Sequence, residues 1–83
     1  MITLPFDYNG NRYSALVCEK VKEDSKEYRF TIMNGDLEKL LYGSHILVER
    51  NGEIQPPQPL DEEKQPLVLQ LIRALKEFLV CSV

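Results

Sequence analysis

Apolar and polar residues alternate on either side of Asn9-Gly10, from Ile2 to Tyr8 and again from Asn11 to Val21. Asn-Gly between two such runs predicts a two-residue β-hairpin with positive φ at both turn positions. Tyr8 opposite Asn11 then sets Asp7 against Arg12, Phe6 against Tyr13, Leu4 against Ala15 and Ile2 against Val17. One face of this hairpin is apolar, while the other carries Thr3, Pro5, Asp7, Arg12, Ser14, Leu16 and Cys18, so turn chemistry and side-chain period agree. Pro5 has no N–H to give a ladder, which places it on an edge strand or with its nitrogen turned outward.

The polar run Lys22-Glu23-Asp24-Ser25-Lys26-Glu27 separates this hairpin from Tyr28-Arg29-Phe30-Thr31-Ile32-Met33, which alternates again. A second hairpin is expected, with Lys22 opposite Glu27, Val21 opposite Tyr28 and Val17 opposite Ile32, and with the charge run as its solvated loop. Between 34 and 44 the pattern is weaker: Asp36 is read as the cap of a short helical turn bearing Leu37, Leu40 and Leu41, ended by Gly43, with an extra strand as the alternative. His45-Ile46-Leu47-Val48-Glu49-Arg50 reads as a strand apolar on both faces. It closes at Asn51-Gly52 and continues as a small hairpin through Ile54. Residues 55–60, with Pro56, Pro57 and Pro59, predict an extended connector. Leu67, Leu71, Ala74, Leu75 and Phe78, flanked by Val68, Ile72 and Leu79, form a broad apolar stripe at helical spacing, with Gln70, Arg73 and Glu77 opposite and Pro66 at the start.

These elements predict an α+β domain spanning residues 1–83. Its mainly antiparallel sheet has about four strands, near 2–7, 12–21, 28–33 and 45–50, and one amphipathic helix near 66–80 packs on one face. Eighty-three residues support a single core and leave little volume for an enclosed site. The apolar fraction of 43% suits a folded chain rather than a disordered one.

A net charge of −3 and a pI near 5.1 argue against nucleic acid as a partner, and Asp61-Glu62-Glu63-Lys64 puts acid where a phosphate-contacting helix would begin with base. No basic leader or membrane-length apolar run is present, so a cytoplasmic protein away from membranes is expected. Cys18 and Cys81 lie far apart in the chain with no CxxC spacing, and two reduced structural thiols are expected.

Candidate chemistry is sparse. His45 is the single histidine, and no carboxylate adjoins it in sequence to orient its ring; it is expected to be half-exposed and bonded to backbone. One histidine and two distant cysteines do not make a zinc-ligand set. The four glycines are isolated, three of them after asparagine, and read as turn residues rather than a phosphate cradle. The carboxylate pairs Glu62/Glu63 and Glu49/Glu53 sit in polar surroundings that suggest solvent. Tyr8, Tyr13, Tyr28 and Tyr42 read as sheet residues. Pro56 and Pro59 form a PxxP spacing that a connector supplies without any ligand role. No cofactor, no metal and no catalysis are expected.

Surplus hydrophobicity remains. A helix on one sheet face leaves Leu16, Met33, Ile46 and Val48 on the other, and the apolar tail through Val80 and Val83 adds more. The expectation is a non-catalytic protein-interaction module, joined to a second copy or another protein through these residues, through the tail or through an edge strand. The alternative is a small apolar ligand held in a cleft between helix and sheet.

Overall fold

The computed structural model of the chain describes residues 1–81, with side chains through residue 80. Five strands follow one another as an antiparallel meander: β1 Ile2–Tyr8, β2 Asn11–Val21, β3 Lys26–Ile32, β4 Ile46–Arg50 and β5 Glu53–Gln55. The helix α1, Gly35–Leu41, connects β3 to β4, and α2, Gln65–Cys81, follows the proline-rich connector. The class is α+β, with five strands where about four were expected. The fifth is the short return that Asn51-Gly52 permits, paired Arg50↔Glu53 through Val48↔Gln55.

Asn9 and Gly10 both have positive φ, at 50° and 79°, and the β1–β2 register is the expected one, Tyr8↔Asn11 through Ile2↔Val17. Asn51 and Gly52 repeat this geometry at 52° and 82°. Such turns twist with the strands they join, so each fixes its own register. β1 is an edge strand, one of the two placements open to Pro5. Counting outward from the turn, Pro5↔Ser14 is a non-hydrogen-bonded pair, so the proline nitrogen faces solvent.

The β2–β3 register differs from the expected one by two residues. Val21 pairs with Lys26, Glu19 with Tyr28, Val17 with Phe30 and Ala15 with Ile32. The connecting loop is Lys22–Ser25, closed by the Lys22 N–H donating to the Ser25 carbonyl at 2.8 Å. A two-residue slip leaves every side chain on its original face, so hydrophobic alternation alone cannot choose between the two registers. Lys22 still reaches Glu27, Nζ to Oε1 at 2.7 Å, now as a diagonal contact across the loop. β3 ends at Ile32, although the Met33 N–H still bonds the Ser14 carbonyl at 2.9 Å.

α1 is capped by Asn34 rather than Asp36. The backbone of Asn34 is extended, and its Oδ1 accepts from the Asp36 and Leu37 N–H groups at 3.1 Å each. A cap must precede the donors it satisfies, which places Asp36 inside the first turn, where its charge favours the positive helix end. Gly43, at φ 82°, ends the helix as expected, and the Ser44 N–H bonds the Leu41 carbonyl at 2.8 Å. Tyr42 is the C-terminal cap of α1, 78% exposed, and is not a sheet residue. α2 begins one residue before Pro66, which takes the second helical position.

The core lies between one sheet face and the two helices. Leu4, Phe6, Ala15, Val17, Tyr28, Phe30, Ile32, Leu47 and Ile54 come from the strands, Leu37 and Leu41 from α1, and Leu67, Val68, Leu71 and Leu75 from α2. Ile72, Ala74, Phe78 and Leu79 flank that stripe, half-buried. Leu71→Ala is expected to lower unfolding free energy by about 2–5 kcal/mol, whereas Leu69→Ala, on the exposed side of the same helix, should change it by less than about 0.5 kcal/mol. Urea denaturation of the two variants with a common m-value checks this.

Candidate functional site

Four of the six candidate interaction residues share the outer face of the sheet. Even-numbered positions of β2 point away from the helices, and the ladders carry that face across: Leu16 lies beside Thr3 and Thr31, Cys18 beside Arg29, Arg29 beside Ile46, and Glu27 beside Val48. Leu16, Ile46 and Val48 are half-buried, and Met33 is 64% exposed. Val80 is 74% exposed on α2, in line with Leu69, Arg73 and Lys76 on the solvent side of the helix, so it does not join them. Val83, and any pairing of the Cys81 thiol, lie outside the described residues; Cys18 is exposed.

Charges of both signs are interleaved with this apolar set. Arg12, Lys20, Arg29 and Arg50 stand on the same face as Asp7, Glu27 and Glu53. Asp7 and Arg12 pair at 3.1 Å in full solvent, a contact of little energetic weight. Lys22 holds the Glu27 carboxyl below the usual carboxylate range. The sheet edges are guarded: β1 carries Pro5, and β5 has three residues. Residues 18–21 extend beyond β1, where a two-fold pairing would set Glu19 or Lys20 against its own copy.

A cleft of about 400 Å³ opens at one margin of the outer face, lined by Arg29, Ser44, His45, Ile46 and the connector from Pro56 to Leu60. α1 supplies the partner of His45. Glu38 Oε1 accepts from the Ile32 N–H at 2.6 Å, and its Oε2 lies 3.1 Å from His45 Nε2. His45 is thus oriented by a carboxylate seven residues earlier, not by backbone as expected. The helix supplies a group that no sequence neighbour does. Ser44 Oγ is held at 3.4 Å by Lys64 Nζ, which also donates to the Tyr42 carbonyl at 2.6 Å. Among the described residues no bond joins Ser44 to His45, and no group of three metal-ligating side chains occurs. Between helix and sheet the side chains of Leu67, Leu71 and Leu75 are at most 1% exposed.

Of the carboxylate pairs, Glu53, Glu62 and Glu63 are exposed, whereas Glu49 is half-buried and accepts from the Tyr28 hydroxyl at 3.3 Å. Burial first, then the charges of Glu49 and Glu19, push the Tyr28 phenol up to about 12. Sequence reading missed this pair because Tyr28 and Glu49 meet only once β3 and β4 are in register.

Compared with protein-family models, curated proteins and solved structures, the chain matches none of them. No helix among the described residues is long and apolar enough to cross a membrane.

Two outcomes follow from these contacts. Glu38→Ala leaves the Ile32 N–H without its acceptor and should cost about 1–3 kcal/mol in chemical denaturation, with Glu38→Gln recovering most of the loss because an amide oxygen can replace the carboxylate. Tyr28 binds its proton more tightly folded than unfolded. The stability it contributes is therefore complete below its ordinary value of 10 and is lost as pH rises toward 12. Denaturation at pH 9 and pH 12 should show a loss on the order of 2 kcal/mol in the native chain that Tyr28→Phe lacks.

Proposed function

We propose that the protein is a non-catalytic protein-interaction module that self-associates through the outer face of its sheet. The observation that carries this reading is the single helix layer: both helices contribute to one core, and Leu16, Met33, Ile46 and Val48 remain together on the other side of the sheet. A second copy is the occupant whose size and charge suit the face. The molecule is a slab of 34 × 28 × 17 Å, and its broad side is of the order of the roughly 800 Å² per partner that a stable interface buries. Its charges are mixed in sign, so the face does not repel its copy as a single-sign surface would. The proline on β1 and the like-charge clash at residues 18–21 favour face-to-face rather than edge-to-edge association.

What supports a binding role over catalysis is the engagement of the polar groups. The carboxylate of Glu38 ties α1 to β3 and to His45, and Lys64 ties Ser44 and Tyr42 to the start of α2. These are fastening contacts in the frame of the fold.

Light scattering on a sizing column, over a tenfold concentration range with reductant present, should give a mass near twice 9.6 kDa. Leu16→Glu and Val48→Glu should each shift it to the monomer while leaving the circular dichroism spectrum unchanged. A native chain that stays monomeric, or variants that keep the native mass, would overturn the proposal.

A further inference from the structure

The β4–β5 ladder stops at Val48↔Gln55, yet the chain continues alongside β4 as Pro56-Pro57-Gln58-Pro59. Hydrogen-bonded pairs in an antiparallel ladder recur every second residue, and the tight Asn51-Gly52 turn makes Arg50↔Glu53 one of them. Val48↔Gln55 is the next, and the position after it pairs Ile46 with Pro57. The other side of β4 agrees, because the His45 carbonyl accepts from the Phe30 N–H at 2.8 Å and so the odd-numbered residues face β3. The N–H and C=O of Ile46 therefore point toward the connector, where Pro57 has no N–H to return. The connector splays from β4 at this point, and the 400 Å³ cleft lies between them.

Two features define what fits there. Among the described residues no backbone bond joins the Ile46 N–H or C=O to the connector, and the two groups form one unit of β-ladder, satisfied by a residue that offers both a backbone N–H and a C=O in extended conformation. The side chain of such a residue falls on the outer face beside Ile46, whose cross-strand neighbour is Arg29. Arg29 is exposed and has no ion pair among the described residues, and no carboxylate lines the cleft, although the chain has 13 acidic residues. The volume lies at the small end of the range for ligand sites, enough for a few residues.

We propose that this cleft binds a short extended segment of a partner protein, with the backbone of one acidic residue completing the ladder at Ile46 and its carboxylate meeting the Arg29 guanidinium. Arg29 and Ile46 also belong to the self-association face, so on that reading the cleft is open in the monomer. The test uses the Leu16→Glu chain, whose cleft is intact whether or not the native chain pairs.

The probes are acetyl-Val-Glu-Val-amide, its glutamine counterpart, the same acidic peptide N-methylated at glutamate, and acetate alone, each followed by backbone amide NMR shifts. The acidic peptide should shift Ile46 and its neighbours saturably. The glutamine peptide should bind about tenfold more weakly, Arg29→Gln should weaken the acidic peptide by a similar factor, and N-methylation should remove the Ile46 shift. Absence of saturable shifts, equal binding of the acid and glutamine peptides, an unaltered Ile46 shift with the N-methylated peptide, or the same pattern from acetate would each overturn the proposal. A native chain that is monomeric by light scattering would refute self-association and leave this result standing.

Discussion

One apolar sheet face has to be covered, and 17 residues of α2 do most of the covering. Leu67, Leu71 and Leu75 are spaced four apart, so they form a single ridge, and they share one core with Leu4 and Phe6 of β1 and with Ala15 and Val17 of β2. Each of these side chains is worth about 1.5–3 kcal/mol when removed from water, the scale of a small domain's whole net stability. A meander without this layer would expose Phe6, Phe30 and Ile32 and would not hold together.

The same coverage makes the two faces unequal. The fully buried side chains all lie on one side, and among the described residues no buried polar or charged residue interrupts them. The outer side keeps a few branched apolar residues among Thr3, Thr31, Arg29 and Glu27.

α1 connects the two halves. It spans the β3 to β4 connection, contributes Leu37 and Leu41 to the core, and reaches with Glu38 to both the end of β3 and the residue before β4. Its seven residues are too few to be stable alone, so it exists because those contacts and the Asn34 cap hold it. The proline-rich connector is the opposite device. Its missing donors end the ladder early and keep β4 from being fully paired, which makes the cleft at Ile46.

Local chemistry along the chain determined a great deal. Asn9-Gly10 and Asn51-Gly52 fixed two hairpins, because a tight turn with positive φ at both residues admits one register. The apolar period fixed the core face of β1, β2 and β3, and the spacing of Leu67, Leu71 and Leu75 fixed the helix stripe; β4, apolar on both faces, took its core face from the sheet. Tertiary structure decided what local pattern leaves degenerate. The β2–β3 register was set by a four-residue loop, since a slip of two preserves all alternation. The cap of α1 passed from Asp36 to Asn34, since only the residue with extended backbone ahead of the donors can serve. Glu38 with His45, Tyr28 with Glu49 and Ile46 facing Pro57 are contacts between elements, and such contacts depend on strand order and helix placement. Side-chain period records which face a residue occupies; it does not record which neighbour it will meet there.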